Sequence, residues 1–455
     1  MRYKQAVVVI HGIGEQRPLE TLRGFVDAIL PEPEDSSDRK YRSKPDQMAE
    51  SFELRCLQAP GSRTRPITDF YEYYWAHHMR NSKLSGVVTW LCSLLIRPIG
   101  KVPKGLRPIY FVTYAGLLLA FAILLWGLID QTGQSLPNRL ISLYKTEQLY
   151  VSAGILIVQV LISRFMLGYV ADAARYLTPS PDNIEERNKI RAEGIKLLRS
   201  LHDSGRYCRI IVVGHSLGSV IGYDILRHLW VEKRKPSPPK AIKQPVAKHF
   251  DDTVHPIQTA TTPITRDEIE TFQQEQHKLW REHRDAGIPW LVTDFITLGS
   301  PLAHSALLLA KTPAEFLERK QELEYPSCPP MPTEQTHYLE HYTDPHLSLR
   351  IPHHGALFAS TRWTNLFFPY HSLILGDVIG GALADSLGQG IKDIPVQPSR
   401  AGFLRKTLYS HVCYWEPADS EPTEHTDMTS DSLEALRSTL RLESLRSKAP
   451  WPDPD

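Results

Sequence analysis

Residues 211–219 read Ile-Val-Val-Gly-His-Ser-Leu-Gly-Ser. An apolar, β-branched run leads directly into Gly214-His215-Ser216-Leu217-Gly218, and a helix-like stretch follows at 220–230. In that setting the glycine-x-serine-x-glycine pattern is a strand-to-helix turn. It is so tight that the serine takes a strained backbone, and its neighbours two positions away must be small. The turn lifts the Ser216 hydroxyl out of the sheet. The Leu217 N–H, at the start of the helix, then points toward a developing oxyanion. A bare match to this pattern is common; the strand before it and the helix after it make Ser216 a candidate nucleophile.

A second short run, Ala6-Val-Val-Val-Ile10, ends in His11-Gly12-Ile13-Gly14. Such a run fits a strand buried on both faces of a helix-covered parallel sheet. The glycines after it leave backbone N–H groups open to a substrate oxygen. The Ile13 N–H is the first choice for a second oxyanion donor and Gly12 the second, a contribution of roughly 10²–10³ in rate. His11 is read as holding the loop. Further strands are expected at 67–76, 208–213, 291–298, 363–368 and 407–415, with helices at 21–30 and 183–203. The proline- and lysine-rich stretch 233–265 reads as a long loop or flap.

The chain is 42% apolar and 23% charged with a net charge of +1, as a globular protein with a real core should be. That balance gives no support to nucleic-acid binding. Its five cysteines are scattered and lack CxxC spacing, which speaks against a disulfide framework or a zinc site and favours a reducing compartment. The apolar run at 6–10 is too short for a secretory signal. The pair His353-His354 has no partner at metal-ligand spacing, so no metal and no cofactor are expected.

The composition changes abruptly at 109–129, which contain no charged residue. Twenty-one helical residues span roughly the ~30 Å hydrocarbon core. A second run, 149–170, is nearly as apolar but contains Arg164. A dozen apolar residues contribute on the order of −4 to −7 kcal/mol to insertion, against roughly +3 for one Arg. The strands on either side of this region must join one sheet, so the number of crossings is even. The basic flank Arg97, Lys101, Lys104, Arg107 then places both ends on the cytoplasmic side. The stretch 84–99 reads as interfacial or buried. The soluble alternative has the two apolar helices packed over the core or forming a lid. The expected organisation is therefore 1–80 and 179–416 as one α/β domain, 81–178 as an inserted two-helix hydrophobic, transmembrane hairpin, and 417–455 as a polar tail.

His-Gly-Ile-Gly near the start, Gly-His-Ser-Leu-Gly-Ser in the middle and Thr297-Leu-Gly-Ser-Pro-Leu302 later resemble the lipase/esterase branch of the α/β-hydrolases. The resemblance covers roughly 1–80 and 180–416, and implies an eight-stranded, mostly parallel sheet with a triad in the order serine, acid, histidine. Related lipases often carry the acid a few residues after a Trp-x-Asn strand and a proline. Here Trp363-Thr-Asn365 and Pro369 are present, but the expected position holds His371. The next acid, Asp377, lies among glycines in 375–381 and is the preferred candidate, with Asp385 and Asp294 behind it. By position after the last strand, His411 is the preferred base, with His371, His354 and His425 as rivals.

These readings converge on a membrane-associated serine hydrolase acting on ester or lipid substrates through Ser216, His411 and Asp377, with Gly12, Ile13 and Leu217 around the oxyanion. A thioesterase or amidase using the same groups, or a non-catalytic membrane scaffold of the same fold, remain open alternatives.

Overall fold

Lys4–Ile10 forms the central strand, β1, of the chain, whose structure is a computed structural model. The structure describes residues 4–12, 17–31, 39–79, 183–416 and 430–443, with gaps at 50, 63–64, 261, 263, 311, 345, 371–374, 378, 400–401 and 403, and scattered positions between 111 and 176. Met1–Ser82 and Pro179–Asp455 make one compact unit, and Lys83–Thr178 another.

The remaining strands are β2 (Arg42–Pro45), β3 (Arg55–Ala59), β4 (Ile67–Tyr73), β5 (Arg209–His215), β6 (Val292–Leu298), β7 (His337–His341), β8 (Ser348–Pro352), β9 (Arg362–Phe367), β10 (Lys392–Gln397) and the two-residue β11 (Ser430–Asp431). Eight of them join β1 in one nine-stranded sheet in the order β11-β10-β9-β6-β5-β1-β4-β3-β2, and β7 and β8 pair separately. From β11 to β4 every neighbour is parallel, and β3 and β2 continue antiparallel at one edge. The protein is thus α/β with a mostly parallel sheet.

Alternation along the buried strands divides the core. Val7, Val9, Ile211, Val213, Ile296 and Leu298 face one side, against α1 (Glu20–Ile29) and the C-terminal helix Ser432–Leu440. Phe295 and Trp363 lie against Tyr223 and Phe358, with Tyr223 on the helix Leu217–Lys233. Burying each such aromatic contributes about 1.5–3 kcal/mol. Helices α2 (Ile184–Asp203), α3 (Leu217–Lys233), α4 (Pro245–Gln258) and α5 (Arg266–Asp285) complete the long helices of the middle of the chain.

Several expectations are corrected. The stretch 233–265 is not a plain loop, because α4 buries Ala247, Phe250 and Val254 at helical spacing and starts on Pro245. Residues 407–415 do not form a strand. Leu408–Val412 is a 3₁₀ turn whose start is capped by the Thr407 hydroxyl, and the last full strand is instead β10. The C-terminal stretch is more than a polar tail, since β11 extends the sheet and Leu433, Leu436 and Leu440 enter the core.

Among the described residues no helix is long and apolar enough to cross a membrane. About half of the span expected at 109–129, most of that at 149–170 and all of the stretch 84–99 fall outside the described residues. Of their described positions, Phe111, Leu118, Leu119 and Phe121 are helical with exposed side chains.

A buried polar network closes the amino ends of the central strands. Gln5 on β1 donates to Thr68 Oγ1 at 2.9 Å and to the Leu442 carbonyl at 3.1 Å. Arg209 on β5 donates to Gln5 Oε1 at 2.8 Å and to the Arg441 carbonyl at 2.7 Å. These donors have exchanged water for acceptors on the C-terminal segment, which is what permits their burial.

Candidate active site

At the opposite, carboxyl end of the parallel strands, loops from β1, β5, β6 and β9 converge, where open α/β sheets place their ligands. Ser216 ends β5 with φ 51° and ψ −128°, a positive-φ conformation that is costly for a residue with a side chain. The turn is held from below: Ser216 N–H donates to the Leu298 carbonyl on β6 at 2.9 Å. Ser219 Oγ donates to the Ser216 carbonyl at 2.6 Å and lies 2.6 Å from Ser300 Oγ.

The glycines flanking Ser216 are dictated by crowding. A Cβ at Gly214 would lie 2.5 Å from Ser219 Cα, and one at Gly218 would lie 2.1 Å from the Ile10 carbonyl oxygen. Gly12 approaches the candidate serine itself, for a Cβ there would meet Ser216 Cβ at 2.8 Å. The β1 loop and the serine turn are therefore in contact through bare backbone. Leu217 is the first residue of α3, so its N–H lacks an intrahelical acceptor and stands beside Ser216. Ile13, the preferred second donor, lies outside the described residues. Ser216 is buried, and its Oγ has no hydrogen-bond partner among the described residues.

Asp377 and His411, 34 residues apart in sequence, meet in the structure. His411 Nδ1–H donates to Asp377 Oδ2 at 2.8 Å, with both side chains at most 2% exposed. A carboxylate can only accept, so this bond fixes the proton on Nδ1 and leaves Nε2 as the basic nitrogen. Tyr414 Oη–H donates to the same carboxylate oxygen at 3.0 Å, and the N–H groups of Ile379 and Gly380 donate to Oδ1 at 2.9 and 3.1 Å. Burial pushes the Asp377 carboxyl upward. The His411 charge and the hydrogen bonds from His411, Gly380 and Ile379 outweigh it and hold Asp377 below the ordinary carboxylate value.

His215 ties this pair to the Ser216 turn. Its Nε2–H donates to the His411 carbonyl at 2.8 Å, and the two rings lie 5.2 Å apart. Burial, with a smaller push from His411, lowers the His215 pKa to about 3, so it is a neutral strut at ordinary pH. His11 holds its loop as expected: Nδ1–H donates to the Gly12 carbonyl at 2.7 Å, and the ring stacks on Trp75. Burial lowers its pKa to about 4, against the opposing effect of that bond.

The rivals lie elsewhere. Asp294 sits at the start of β6 in a buried pair with Arg362 at 2.8 Å, and Asp385 and His354 are exposed. His371 and His425 fall outside the described residues. Two contributors escaped the sequence reading. Tyr414 is one. The other is Gly299 (φ 56°), where a Cβ would lie 2.8 Å from Asp377 Oδ2 and 3.0 Å from His411 Nδ1. Gly299 was visible as part of the Leu-Gly-Ser-Pro run, whereas nothing local marks Tyr414.

No protein-family model, curated protein or solved structure matches this chain. Its function is therefore argued from the site alone.

Proposed function

We propose that this chain is a serine hydrolase of the α/β-hydrolase type that cleaves carboxylic esters by two-step acyl transfer. The observation that carries the reading is the buried Asp377–His411 hydrogen bond, tied through His215 to the strained, buried Ser216 at the carboxyl edge of the sheet. The order of elements supports the resemblance: the serine follows β5, the acid follows β9 and the histidine follows β10.

In this mechanism His411 Nε2 takes the Ser216 hydroxyl proton as Oγ attacks the ester carbonyl. The N–H of Leu217, and that of Ile13 or Gly12, receive the oxyanion. The C–O bond to the alcohol breaks as His411 returns its proton to the leaving oxygen. Water, deprotonated by His411, then releases the acid. Asp377 keeps the productive tautomer and stabilises the imidazolium.

The proposal includes membrane association through 81–178, with the larger unit on the cytoplasmic side. It draws on the two uncharged or nearly uncharged runs and on the exposed helical Phe111, Leu118, Leu119 and Phe121. A membrane-bound esterase meets lipid esters before soluble ones, so long-chain esters are the proposed class.

Fluorophosphonate labelling of wild-type protein against Ser216→Ala tests the chemistry. Labelling of wild type alone is expected; a folded wild type that resists the probe overturns the hydrolase reading in favour of a non-catalytic scaffold. Carbonate extraction tests the anchor, and release into the soluble fraction overturns it.

A further inference from the structure

We propose that His77, His78 and Glu193 bind a divalent transition-metal ion, with zinc the best match to the donor set. This site is separate from Ser216, His411 and Asp377, and the proposal does not rest on the hydrolase reading.

His77 and His78 lie on the 3₁₀ turn Ala76–Met79, which directly follows β4, and Glu193 lies in the middle of α2. The fold brings them together across 115 residues of sequence. His78 Nε2 is 2.8 Å from Glu193 Oε2, His77 Nε2 is 3.7 Å from the same oxygen, and one ligand atom from each residue lies within 4.8 Å of the others. A tetrahedral zinc ion with bonds of about 2.05 Å has ligand-to-ligand edges of about 3.3 Å. The two measured edges straddle that value, so small side-chain adjustments seat the ion.

The chemistry of the donors narrows the metal. Two imidazoles and one carboxylate suit zinc and its first-row neighbours, whereas magnesium and calcium prefer all-oxygen shells. The His77 ring is stacked on Tyr74 at 5.8 Å and the two histidine rings lie 3.8 Å apart, so their orientations are constrained before any ion arrives. Three protein ligands leave a fourth position. His77 and Glu193 also line a cavity of about 600 Å³ with Met48, Phe52, Tyr73 and Tyr74, which gives a water or a small anionic ligand access to it.

The ion ties the exit of β4 to α2. In sequence these are the elements of the larger unit that flank Lys83–Thr178. The expectation of no metal rests on the pair His353-His354 and the scattered cysteines, whereas Glu193 lies too far in sequence from His77 and His78 for local spacing to join them.

The test uses untagged full-length protein in mild detergent, stripped with a chelator and titrated with Zn²⁺ and then Co²⁺. One equivalent of Zn²⁺ is expected to bind at least tenfold more tightly to wild type than to Glu193→Gln or to the double variant His77→Ala/His78→Ala. Bound Co²⁺ is expected to show the intense visible absorption of a four-coordinate ion, absent from both variants. All three side chains are partly or largely exposed, so circular dichroism of the variants should match wild type. Equal affinity in wild type and variants, no binding at all, or a weak six-coordinate Co²⁺ spectrum each overturns the proposal. Those results would leave the cluster as an ordinary His78–Glu193 hydrogen bond.

Discussion

The Nδ1–H of His411 points at Asp377 Oδ2 across 2.8 Å, and neither side chain reaches solvent to any useful extent. Replacing Asp377 by Asn keeps the volume but offers an amide that can donate, so the imidazole loses its reason to keep the proton on Nδ1. Asp377→Asn is expected to lower kcat by roughly 10⁴ with little change in KM. Steady-state ester hydrolysis by the folded variant checks this, and a loss below tenfold would remove Asp377 from the proposed triad.

Asp294 makes the contrasting case. Its carboxylate is buried against Arg362 at 2.8 Å and Arg209 at 4.0 Å, away from the serine turn. Burial opposes its ionisation, but the Arg362, Arg441 and Arg209 charges hold its pKa well below the usual range. Asp294→Ala strands buried guanidinium charge and is expected to cost about 3–5 kcal/mol of stability. The fraction that stays folded should label with a fluorophosphonate at the wild-type rate. Urea unfolding and labelling kinetics read the two effects separately.

Gly12→Ala tests the contact between the β1 loop and Ser216, the proposed nucleophile. The new methyl would press on Ser216 Cβ at 2.8 Å and His215 Nδ1 at 3.1 Å, displacing the attacking oxygen. A displacement near 1 Å costs on the order of 10² in rate. Gly218→Ala, by contrast, collides with the main chain of β1 at 2.1 Å and should damage folding as well. Wild-type turnover in Gly12→Ala would show that the two loops are farther apart than described.

Acid should weaken the fold before it protonates most carboxylates. Burial lowers His11, His202 and His353 to about 4, and His215 and His283 to about 3, each from an ordinary value of 6.5. Between those limits the unfolded chain binds more protons than the folded one. The stability from these neutral histidines is complete above about pH 6.5 and is lost as pH falls toward 3–4. Glu72 works the other way. Burial raises it to about 7, so it favours the fold at low pH and loses that contribution as pH rises through 7. Asp46, Glu282 and Asp393, also raised by burial, act in the same sense as Glu72, but the histidines, His277, His337 and His228 included, outnumber them, and the urea midpoint should be lower at pH 5 than at pH 7.5. An equal or higher midpoint at pH 5 would contradict this.

The elements that were legible in sequence are those whose chemistry is one-sided. β1 and β5 carry continuous apolar, β-branched runs and β6 one broken only by Asp294, because all three are buried on both faces. β2 is exposed at all four positions and β10 is only half-buried for most of its length, so neither carries that signature. α5 was obscured by its charges, although the capping box Thr265–Glu268 announces its start. The aromatic run at 407–415 has strand-like composition, but Tyr414 is drawn inward to Asp377 and Phe368 rather than into a ladder. Ser216 stands out as a candidate because its constraint is local. Asp377 and His411 could be named only by position, since what joins them is a bond across the fold.

The polar seal at the amino ends of the strands also sets an order in time. During synthesis β1 emerges first and can pair with β4, but β5 arrives well over a hundred residues later, after the whole of 83–178. His411 follows much later, and the carbonyls of Arg441 and Leu442 that receive Arg209 and Gln5 come later still. A nascent chain therefore carries the serine turn without its imidazole for almost two hundred residues of translation. Arg209 and Gln5, at the centre of the sheet, wait more than 200 residues of translation for the carbonyls that receive them.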